Sequence, residues 1–412
     1  MNFKRKLWWA QHKNEVYKYS TFILLFLIVT ISIIYFTYSK FTSTNEATAY
    51  ETTVEPFIKN DYFIASYIDG EWSNEIPGKD DGYVVDNIVC DNGAVGTWDN
   101  EEWGINIRNA TKKIKCSVFF IVKPLSAAEK ITALASSNTT NFATDDPDNN
   151  IRYIGANPNN YVYFNCNDYS NQSDSSCEKW RIIGVFKNVT KEDGTKEELI
   201  KIIRDGNLGN IALDSRNVND WSTSSLQTTL NDNYYNGTYA TGALKNELTR
   251  NAIESVVWNL GGTANYSSAS NGLASHWYGY ERGTTVYSGH ATTWTGKIGL
   301  MYPSDYGYAT SGGSTTDRAT CLAKEMYNWD GSGVSDCKNN DYLYKSNYYQ
   351  WTLAPYSSFA FYVFFVGTEG YVSYYDAFHT YSVRPAVFLK SNISITDVGI
   401  GTAESPFQLK VG

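Results

Sequence analysis

The longest apolar stretch of the chain lies near its N-terminus. Residues 19–39 carry no charge, and Phe22-Ile-Leu-Leu-Phe-Leu-Ile-Val forms their centre. At about 1.5 Å per residue, a helix of this length spans roughly 30 Å, the thickness of a bilayer's hydrocarbon core. The run therefore predicts a transmembrane helix. A cleaved signal peptide is the alternative, but its apolar part would be shorter and would end at small residues, whereas this run ends in Ile33-Ile-Tyr-Phe-Thr-Tyr.

Charges around this run predict its orientation. Five basic residues and one acid in the first 18 positions give +4, which leaves −13 for the rest of a chain whose net charge is −9. Because cytoplasmic flanks carry the excess of Lys and Arg, residues 1–18 should form a cytoplasmic stub. We expect a single-pass protein of the cell membrane, with a large acidic ectodomain outside.

Short alternating segments follow the apolar run. Strand-like pieces such as Tyr62-Phe-Ile-Ala-Ser-Tyr and Cys116-Ser-Val-Phe-Phe-Ile-Val are separated by Gly, Asp and Asn, so residues 50–124 are predicted to form a small β-sandwich. Ser126 and Glu129 have the spacing of a capping box that opens a short helix. The Ser-, Thr-, Asn- and Asp-rich stretch after that helix predicts a linker, which gives 125–150 as helix and linker.

Residues 151–412 are predicted to be one α+β domain. Strands at 180–186 and 198–204 flank a hairpin turn at Asp193-Gly194. Helices are expected after Ser222, as the N-cap, and from Leu244 to Leu260. A long irregular stretch then leads to four strands, at 349–353, 361–366, 371–375 and 383–389.

This element order resembles the C-type lectin-like fold, in the broad form that includes formylglycine-generating-enzyme-like domains. More specifically, the domain resembles bacterial surface proteins that carry such a domain of unknown function. The segments that carry the likeness are YVYFNC (161–166), CEKWRIIGVF (177–186), DWSTSSLQTTLNDNYYNG (220–237), TGKIGLMYPSDYGYA (295–309), QWTLAPYSS (350–358) and VRPAVFLKS (383–391). The resemblance implies an α+β chain with an N-terminal transmembrane helix, a small β-sandwich and a C-type lectin-like ligand-binding domain.

Some members of this fold are diversified by retroelements that mutate adenine positions near the 3′ end of the gene. Mutation of the adenines in an Asn codon cannot produce Lys, Met, Trp or Gln. Residues 356–381 contain none of these four residue types and in this respect look similar to such a variable region. Glu369 is the exception. The resemblance thus makes a diversified variable protein one hypothesis.

Composition and cysteines narrow the possible functions. An isoelectric point of about 5.1 argues against a nucleic-acid partner, which requires a basic face. All six cysteines follow the apolar run, and their proximity in sequence suggests the disulfides Cys90–Cys116, Cys166–Cys177 and Cys321–Cys337, although six cysteines allow 15 pairings. Zinc is the competing use, but no C-x-x-C or H-x-x-x-H spacing is present, so no metal is expected.

Catalytic motifs are missing from the sequence. There is no G-x-S-x-G elbow, no phosphate-binding glycine loop and no calcium-dependent lectin tripeptide, and every cysteine has a plausible structural partner. We therefore expect a protein that is not an enzyme and has no cofactor. An exported hydrolase, using the loop that carries His276 and His290 with Glu281 and Arg282 between them, is the less favoured alternative.

The last predicted hairpin concentrates aromatic and small polar residues. Rigid rings and small polar groups dominate the binding surfaces of antibodies, which suggests a ligand-binding role here. Strand alternation predicts Phe364 and Val366 inside and Phe361 and Phe365 outside, and Arg384 is expected to pair internally. The candidate ligand-binding residues are Ser357, Ser358, Phe359, Phe361, Phe365, Tyr374, Tyr375, Phe378, His379 and Tyr381.

These patterns together predict a membrane-anchored bacterial surface receptor or adhesin. Its partners would be an extracellular protein or glycan ligand, bound by the hairpin, and the membrane, through residues 19–39. A structural envelope component, whose aromatic surface contacts neighbouring copies, is the second possibility.

Overall fold

The computed structural model describes residues 5, 12–15, 17–21, 23–31, 62–68, 70–73, 75–110, 113–240 and 242–411. Helix α1, His12–Ile31, is the one helix in these ranges that is long and apolar enough to cross a membrane. The hydroxyls of Thr21 and Thr30 donate to the carbonyls of Tyr17 and Phe26, so they are satisfied within the helix. Residues 32–39 of the predicted span and 50–61 of the predicted sandwich lie outside the described ranges.

The chain divides into two compact units, Met1–Lys123 and Pro124–Gly412. Unit 1 holds a four-stranded sheet in the order β2-β1-β6-β3, in which β1 and β6 are parallel, and a separate hairpin of β4 and β5. Trp98 of that hairpin packs its ring edge-on against Phe120 of β6, at 5.4 Å. The strands of this unit are β1 Tyr62–Ile68, β2 Glu71–Ser73, β3 Tyr83–Cys90, β4 Val95–Asp99, β5 Gly104–Arg108 and β6 Ile114–Val122.

Unit 2 is built on a seven-stranded and a five-stranded sheet. The first has the order β15-β20-β11-β10-β8-β7, with β9 also paired to β10, and the second has the order β12-β19-β16-β17-β18. Two-stranded pairs, β13 with β14 and β21 with β22, complete the described sheets. The strands are β7 Phe142–Ala143, β8 Ile151–Tyr153, β9 Tyr161–Phe164, β10 Glu178–Thr190, β11 Lys196–Arg204, β12 Asn210–Ala212, β13 Val256–Asn259, β14 Thr293–Gly296, β15 Ile298–Gly299, β16 Gln350–Pro355, β17 Tyr362–Val366, β18 Val372–Asp376, β19 Thr380–Ser382, β20 Ala386–Phe388, β21 Ser394–Ile395 and β22 Leu409–Lys410.

The described helices of unit 2 are short. The described part of the chain is α+β, as predicted, and has more strands than helices. The α-helices are α2 Ala127–Ser137, α3 Ser225–Thr228, α4 Glu247–Asn251, α5 Ala274–Glu281, α6 Pro303–Ala309, α7 Arg318–Leu322 and α8 Ser335–Asn339; single turns of other helix types are the 3₁₀-helices Trp221–Thr223 and Met326–Asn328 and the π-helix Thr229–Tyr234.

The β10–β11 hairpin forms the centre of unit 2. The turn lies at Asp193-Gly194, as the sequence predicts, and Gly194 has φ +81°, which suits glycine. Residues 180–186 of β10 and 199–203 of β11 are buried on both faces. The pairing register shifts between Ile182 and Gly184, which marks a bulge in β10. Position 184 requires glycine, because any Cβ there would overlap the carbonyl oxygen of Ile151.

Two predicted helices take another form. Leu244–Leu260 is not one helix: α4 ends at Asn251, and Val256–Asn259 pairs with β14 instead. The β-branched and aromatic residues Val256, Val257 and Trp258 favour this strand over the helical spacing of their neighbours. Ser222 is not the N-cap either, because Asp220 caps the preceding 3₁₀ turn and Ser224 caps α3.

The segment predicted as a linker is part of the packed domain. The capping box of Ser126 and Glu129 opens α2, as expected. The stretch that follows, however, places Asp146 and Asn150 in the interior, where the Asn150 amide donates to Asp146 and to the Tyr278 hydroxyl. Its Asp and Asn residues therefore satisfy buried partners, which is a correction to the linker prediction.

Three disulfides join the cysteine pairs that proximity in sequence suggested. Cys90–Cys116 closes a loop in unit 1, between residues that are direct partners on β3 and β6. Cys166–Cys177 and Cys321–Cys337 lie in unit 2. Among the described cysteines none is free.

Candidate ligand-binding surface

The β17–β18 hairpin is the element on which the predicted binding residues converge. Its strands pair Phe364 with Tyr374 and Phe365 with Ser373. The turn between them needs Gly370, at φ +87°, and Lys338 donates to the carbonyl of Glu369 within it. The hairpin is thus held at its tip as well as along its strands.

A segment that the sequence analysis did not single out braces the two loops beside this hairpin. The Asn219 amide donates to the carbonyls of Tyr356, Phe359 and Tyr362, at 3.0, 2.8 and 2.7 Å. On the other side, the side-chain amide oxygen of Asn217 (Oδ1) accepts a hydrogen bond from the backbone N–H of Phe378. Asn217 has φ +59°, a conformation that Asn tolerates better than most residues. These two asparagines position the loops that carry the exposed rings.

One face of the hairpin bears what we call the Tyr374 cluster, defined as Tyr266, Tyr356, Phe359, Tyr362 and Tyr374. The Tyr374 ring lies 4.4 Å from that of Tyr356 and 4.7 Å from that of Tyr362, and Phe359 stacks on Tyr356. Phe359 is 47% exposed, whereas Tyr356, Tyr362 and Tyr374 are half-buried. The cluster is a continuous aromatic surface with one protruding ring.

The opposite face bears the Tyr381 cluster, defined as Tyr349, Phe365, Tyr375, His379 and Tyr381. Tyr381 lies 4.9 Å from both Phe365 and His379, and Tyr349 stacks on it at 5.1 Å. Tyr375 and His379 are exposed at its edge, while Phe365 and Tyr381 form its floor.

The structure places eight of the ten predicted residues at least partly in solvent. Ser358, Phe359, Tyr375, Phe378 and His379 are exposed, and Ser357, Phe361 and Tyr374 are half-buried. The remaining two, Phe365 at 4% and Tyr381 at 9%, are buried, so the outward orientation expected for Phe365 is wrong. Both faces of β17 are covered: Trp277 packs on Phe364, as expected of an inward residue, and Tyr349 packs on Phe365.

The chemistry of the surface is that of neutral phenols and hydrocarbon rings. Burial raises the pKa of Tyr266 to about 12 and also raises the pKa of Tyr356 and Tyr381. These hydroxyls therefore stay protonated at neutral pH, where they both donate and accept hydrogen bonds. Packed rings of this kind offer contact area with few rotamers left to freeze, so binding to them costs little entropy.

The two histidines of the alternative hydrolase hypothesis lie in different parts of unit 2, and Nδ1 of His290 is buried without a hydrogen-bond partner. His276 lies on α5, not in a loop, and its Nδ1 accepts from the backbone N–H of Leu273 at the start of that helix. His290 packs beside Tyr287, at 5.3 Å between ring centroids, and its backbone N–H donates to the Tyr287 carbonyl. Arg384 is internally bonded, as predicted, to Gln350 and to the carbonyl of Arg204.

Sequence reasoning missed four of the ten residues in the two clusters. Tyr266, Tyr349, Tyr356 and Tyr362 lie outside the predicted set, yet each contacts a ring within it. Tyr349 and Tyr356 flank β16, so extending the prediction by one strand would have found both. Tyr266 comes from the irregular stretch, and no local pattern places it here.

Comparisons with known proteins give no match for this chain. No family model matches it, no curated protein matches it and no solved structure matches it.

Within the described ranges, no group of three His, Cys, Asp or Glu side chains is placed to hold a metal ion.

Proposed function

We propose that this protein is a membrane-anchored bacterial surface receptor or adhesin. Unit 2 would be a C-type lectin-like domain that binds an extracellular protein or glycan through the Tyr374 and Tyr381 clusters. The single observation that carries the proposal is the exposure of Tyr375 on the β17–β18 hairpin and of Phe359 and Phe378 in the loops beside it, with the turn and both loops braced by hydrogen bonds. Exposed aromatic rings on a rigid support are the usual anchors of protein interfaces.

The location outside the cell is supported by two features. Helix α1 has the length and composition of a membrane anchor, and three disulfides are typical of an oxidising compartment. The resemblance of segments in 161–391 to surface proteins with a C-type lectin-like domain supports the fold assignment, and the composition of residues 356–381 supports diversification by a retroelement.

The test begins with a ligand search. Full-length protein in lipid nanodiscs is applied to a glycan array and, separately, to a surface extract of candidate partner cells. Affinities for the captured ligand are then measured by calorimetry for Phe359→Ala, Tyr375→Ala and Phe378→Ala. We expect each variant to weaken binding by about 1–3 kcal/mol, because exposed aromatic anchors carry much of an interface's energy.

Matched controls separate the hairpin from the rest of the surface. Tyr287 is 37% exposed beside His290, so Tyr287→Ala removes a comparable ring at the alternative site. Unchanged affinity in this variant and in His276→Ala supports the hairpin. Loss of binding only in Tyr287→Ala or the histidine variants would contradict the proposal and favour the exported hydrolase.

A further inference from the structure

A lysine and an aspartate meet in the interior of unit 2. Lys201 lies on β11 and Asp305 on α6, and Lys201 Nζ is 2.5 Å from Asp305 Oδ2. Their side chains are 0% and 1% exposed. At this separation the amine nitrogen is also in contact range of Cγ, the carbon to which Oδ2 is bonded, and such proximity of reacting groups is worth several orders of magnitude in rate.

Aromatic rings surround the amine. Nζ of Lys201 lies 4.3 Å from the ring of Tyr302 and 5.2 Å from that of Trp258, with Phe186 and Phe388 at 5.7 and 5.6 Å. Burial among these rings lowers the pKa of Lys201. Burial therefore makes it easier for the Lys201 ammonium to lose a proton and form the uncharged amine, which is the nucleophilic form.

The carboxyl group of Asp305 is held for attack at its carbon. Arg152 Nη1 donates to Oδ1 at 2.8 Å, and the backbone N–H of Tyr302 donates to Oδ2 at 2.9 Å. When a nucleophile adds to Cγ, negative charge develops on an oxygen, and Arg152 is in place to stabilise it on Oδ1. Although burial alone would raise it, Lys201 and Arg152 hold the pKa of Asp305 low, so the proton for the leaving oxygen must come from another acid.

Glu281 of α5 lies beside the pair, close enough for charge interactions with both Lys201 and Asp305, and one of its oxygens also contacts Arg282 Nη1, at 3.4 Å. Its side chain is fully buried, and it accepts hydrogen bonds from the backbone N–H and the hydroxyl of Ser304, the residue next to Asp305. Burial raises the pKa of Glu281 to about 7. A carboxyl group that titrates near neutral pH can both accept and return a proton.

We propose that Lys201 and Asp305 form an intramolecular isopeptide bond, with Glu281 carrying the proton. The Lys201 ammonium gives a proton to the Glu281 carboxylate, and the free amine adds to Cγ of Asp305. Glu281 then protonates Oδ2, which leaves as hydroxide when the C–O bond breaks. The second nitrogen proton neutralises that hydroxide, so the ion pair becomes one amide and one water, and no other reactant is needed.

Charge balance favours the product. The Lys201–Asp305 pair contributes one positive and one negative charge, so the amide removes both and leaves Arg152 paired with Asp146, at 2.8 Å. A buried ion pair must overcome the cost of desolvating both charges, and a neutral amide does not carry that cost.

The bond would also link parts of the chain that the disulfides leave free. The three disulfides span 26, 11 and 16 positions. The isopeptide bond would span 104 and join β11 to α6. Because longer closed loops restrict the unfolded chain more, this is the cross-link with the largest effect on the unfolded state.

The experiment is intact mass spectrometry of the purified full-length protein after reduction of its disulfides. We expect a mass lower by one water than the sequence requires. Digestion of the unfolded protein should give one branched peptide that contains both Lys201 and Asp305, because trypsin does not cleave after an amidated lysine.

Variants define the roles of the three residues. Lys201→Met should have the full mass, whereas the matched control Lys191→Met, which removes the lysine of a partly exposed ion pair with Glu197, should still lose one water. Because a missing buried charge can unfold the domain, Glu281→Gln is the second variant. It keeps the reacting pair, and we expect the bond to form about 100-fold more slowly, the usual loss when a general acid–base group is removed.

Three results would overturn the proposal. The first is wild-type protein, folded by circular dichroism, with the unmodified mass. The second is a water loss that peptide mapping assigns to other residues. The third is a water loss that persists in Lys201→Met.

Discussion

At the scale of single residues, burial separates the hairpin's structural rings from its candidate contacts. Phe365 packs against Tyr349 and Tyr381 and is 4% exposed, whereas Phe378 is 53% exposed. We predict that Phe365→Ala lowers the free energy of unfolding of unit 2 by about 3–5 kcal/mol, because it leaves a cavity in a packed core. Urea denaturation measures this loss.

Phe378→Ala is the matched control for that measurement, because it removes the same side chain from a solvent-exposed position on the same hairpin. It should change the stability by no more than about 0.5 kcal/mol. A stable Phe365→Ala variant that loses only its ligand would restore the outward orientation which the sequence suggested.

Asn219 gives a second test at this scale. Its side-chain amide donates to the carbonyls of Tyr356, Phe359 and Tyr362, so Asn219→Ala leaves these three acceptors without that donor. We predict a loss of about 1–3 kcal/mol, together with faster amide hydrogen exchange across residues 356–362. Unchanged exchange in that loop would show that Asn219 does not brace it.

At the scale of elements, patterns with local causes were predictable from the sequence. The β10–β11 hairpin follows from two apolar runs and an Asp-Gly turn, and the β17–β18 hairpin from alternating rings around Gly367 and Gly370. The disulfides also join neighbours in sequence.

Elements that depend on distant partners were not predictable. Val256–Asn259 is a strand because β14, from residues 293–296, pairs with it. Asn150 is buried where its side-chain amide donates a hydrogen bond to the Tyr278 hydroxyl, and Phe365 is buried because Tyr349 and Tyr381 cover it. In each case the sequence pattern is compatible with two outcomes, and packing across more than ten positions decides between them.

Unit 1 provides a prediction at the element scale. One small buried cluster of this unit comprises Ala94, Ile114 and Cys116, and the disulfide Cys90–Cys116 runs through it. Small domains rely on such cross-links, and closing a loop of 26 positions is worth about 3 kcal/mol in the chain-entropy model. Replacing both cysteines with Ser should therefore expose unit 1 to proteolysis while unit 2 stays resistant.

The control is the corresponding change at Cys321 and Cys337, in unit 2. Limited digestion followed by mass analysis reports which unit is cut. Equal resistance of unit 1 with and without its disulfide would show that the two sheets alone are sufficient.

At the scale of the whole molecule, charge and hydropathy point to one orientation. Residues 1–18 carry +4 and the rest of the chain carries −13, which together give the net charge of −9. A basic flank is typical of the cytoplasmic side of a single membrane helix, so we predict that the N-terminus lies inside and that the disulfide-bonded units lie in the oxidising space outside, where such bonds persist.

This orientation predicts the outcome of protease treatment of intact cells. With one tag at residue 1 and another at residue 412, protease should remove the C-terminal tag and spare the N-terminal one, and a cytoplasmic marker protein should stay intact as the control. Before digestion, an uncleaved anchor should give one band that carries both tags. Cleavage of a signal peptide would instead place the two tags on separate fragments. Survival of the C-terminal tag until the cells are permeabilised would place both units inside the cell, and a surface receptor could not then be the protein's function.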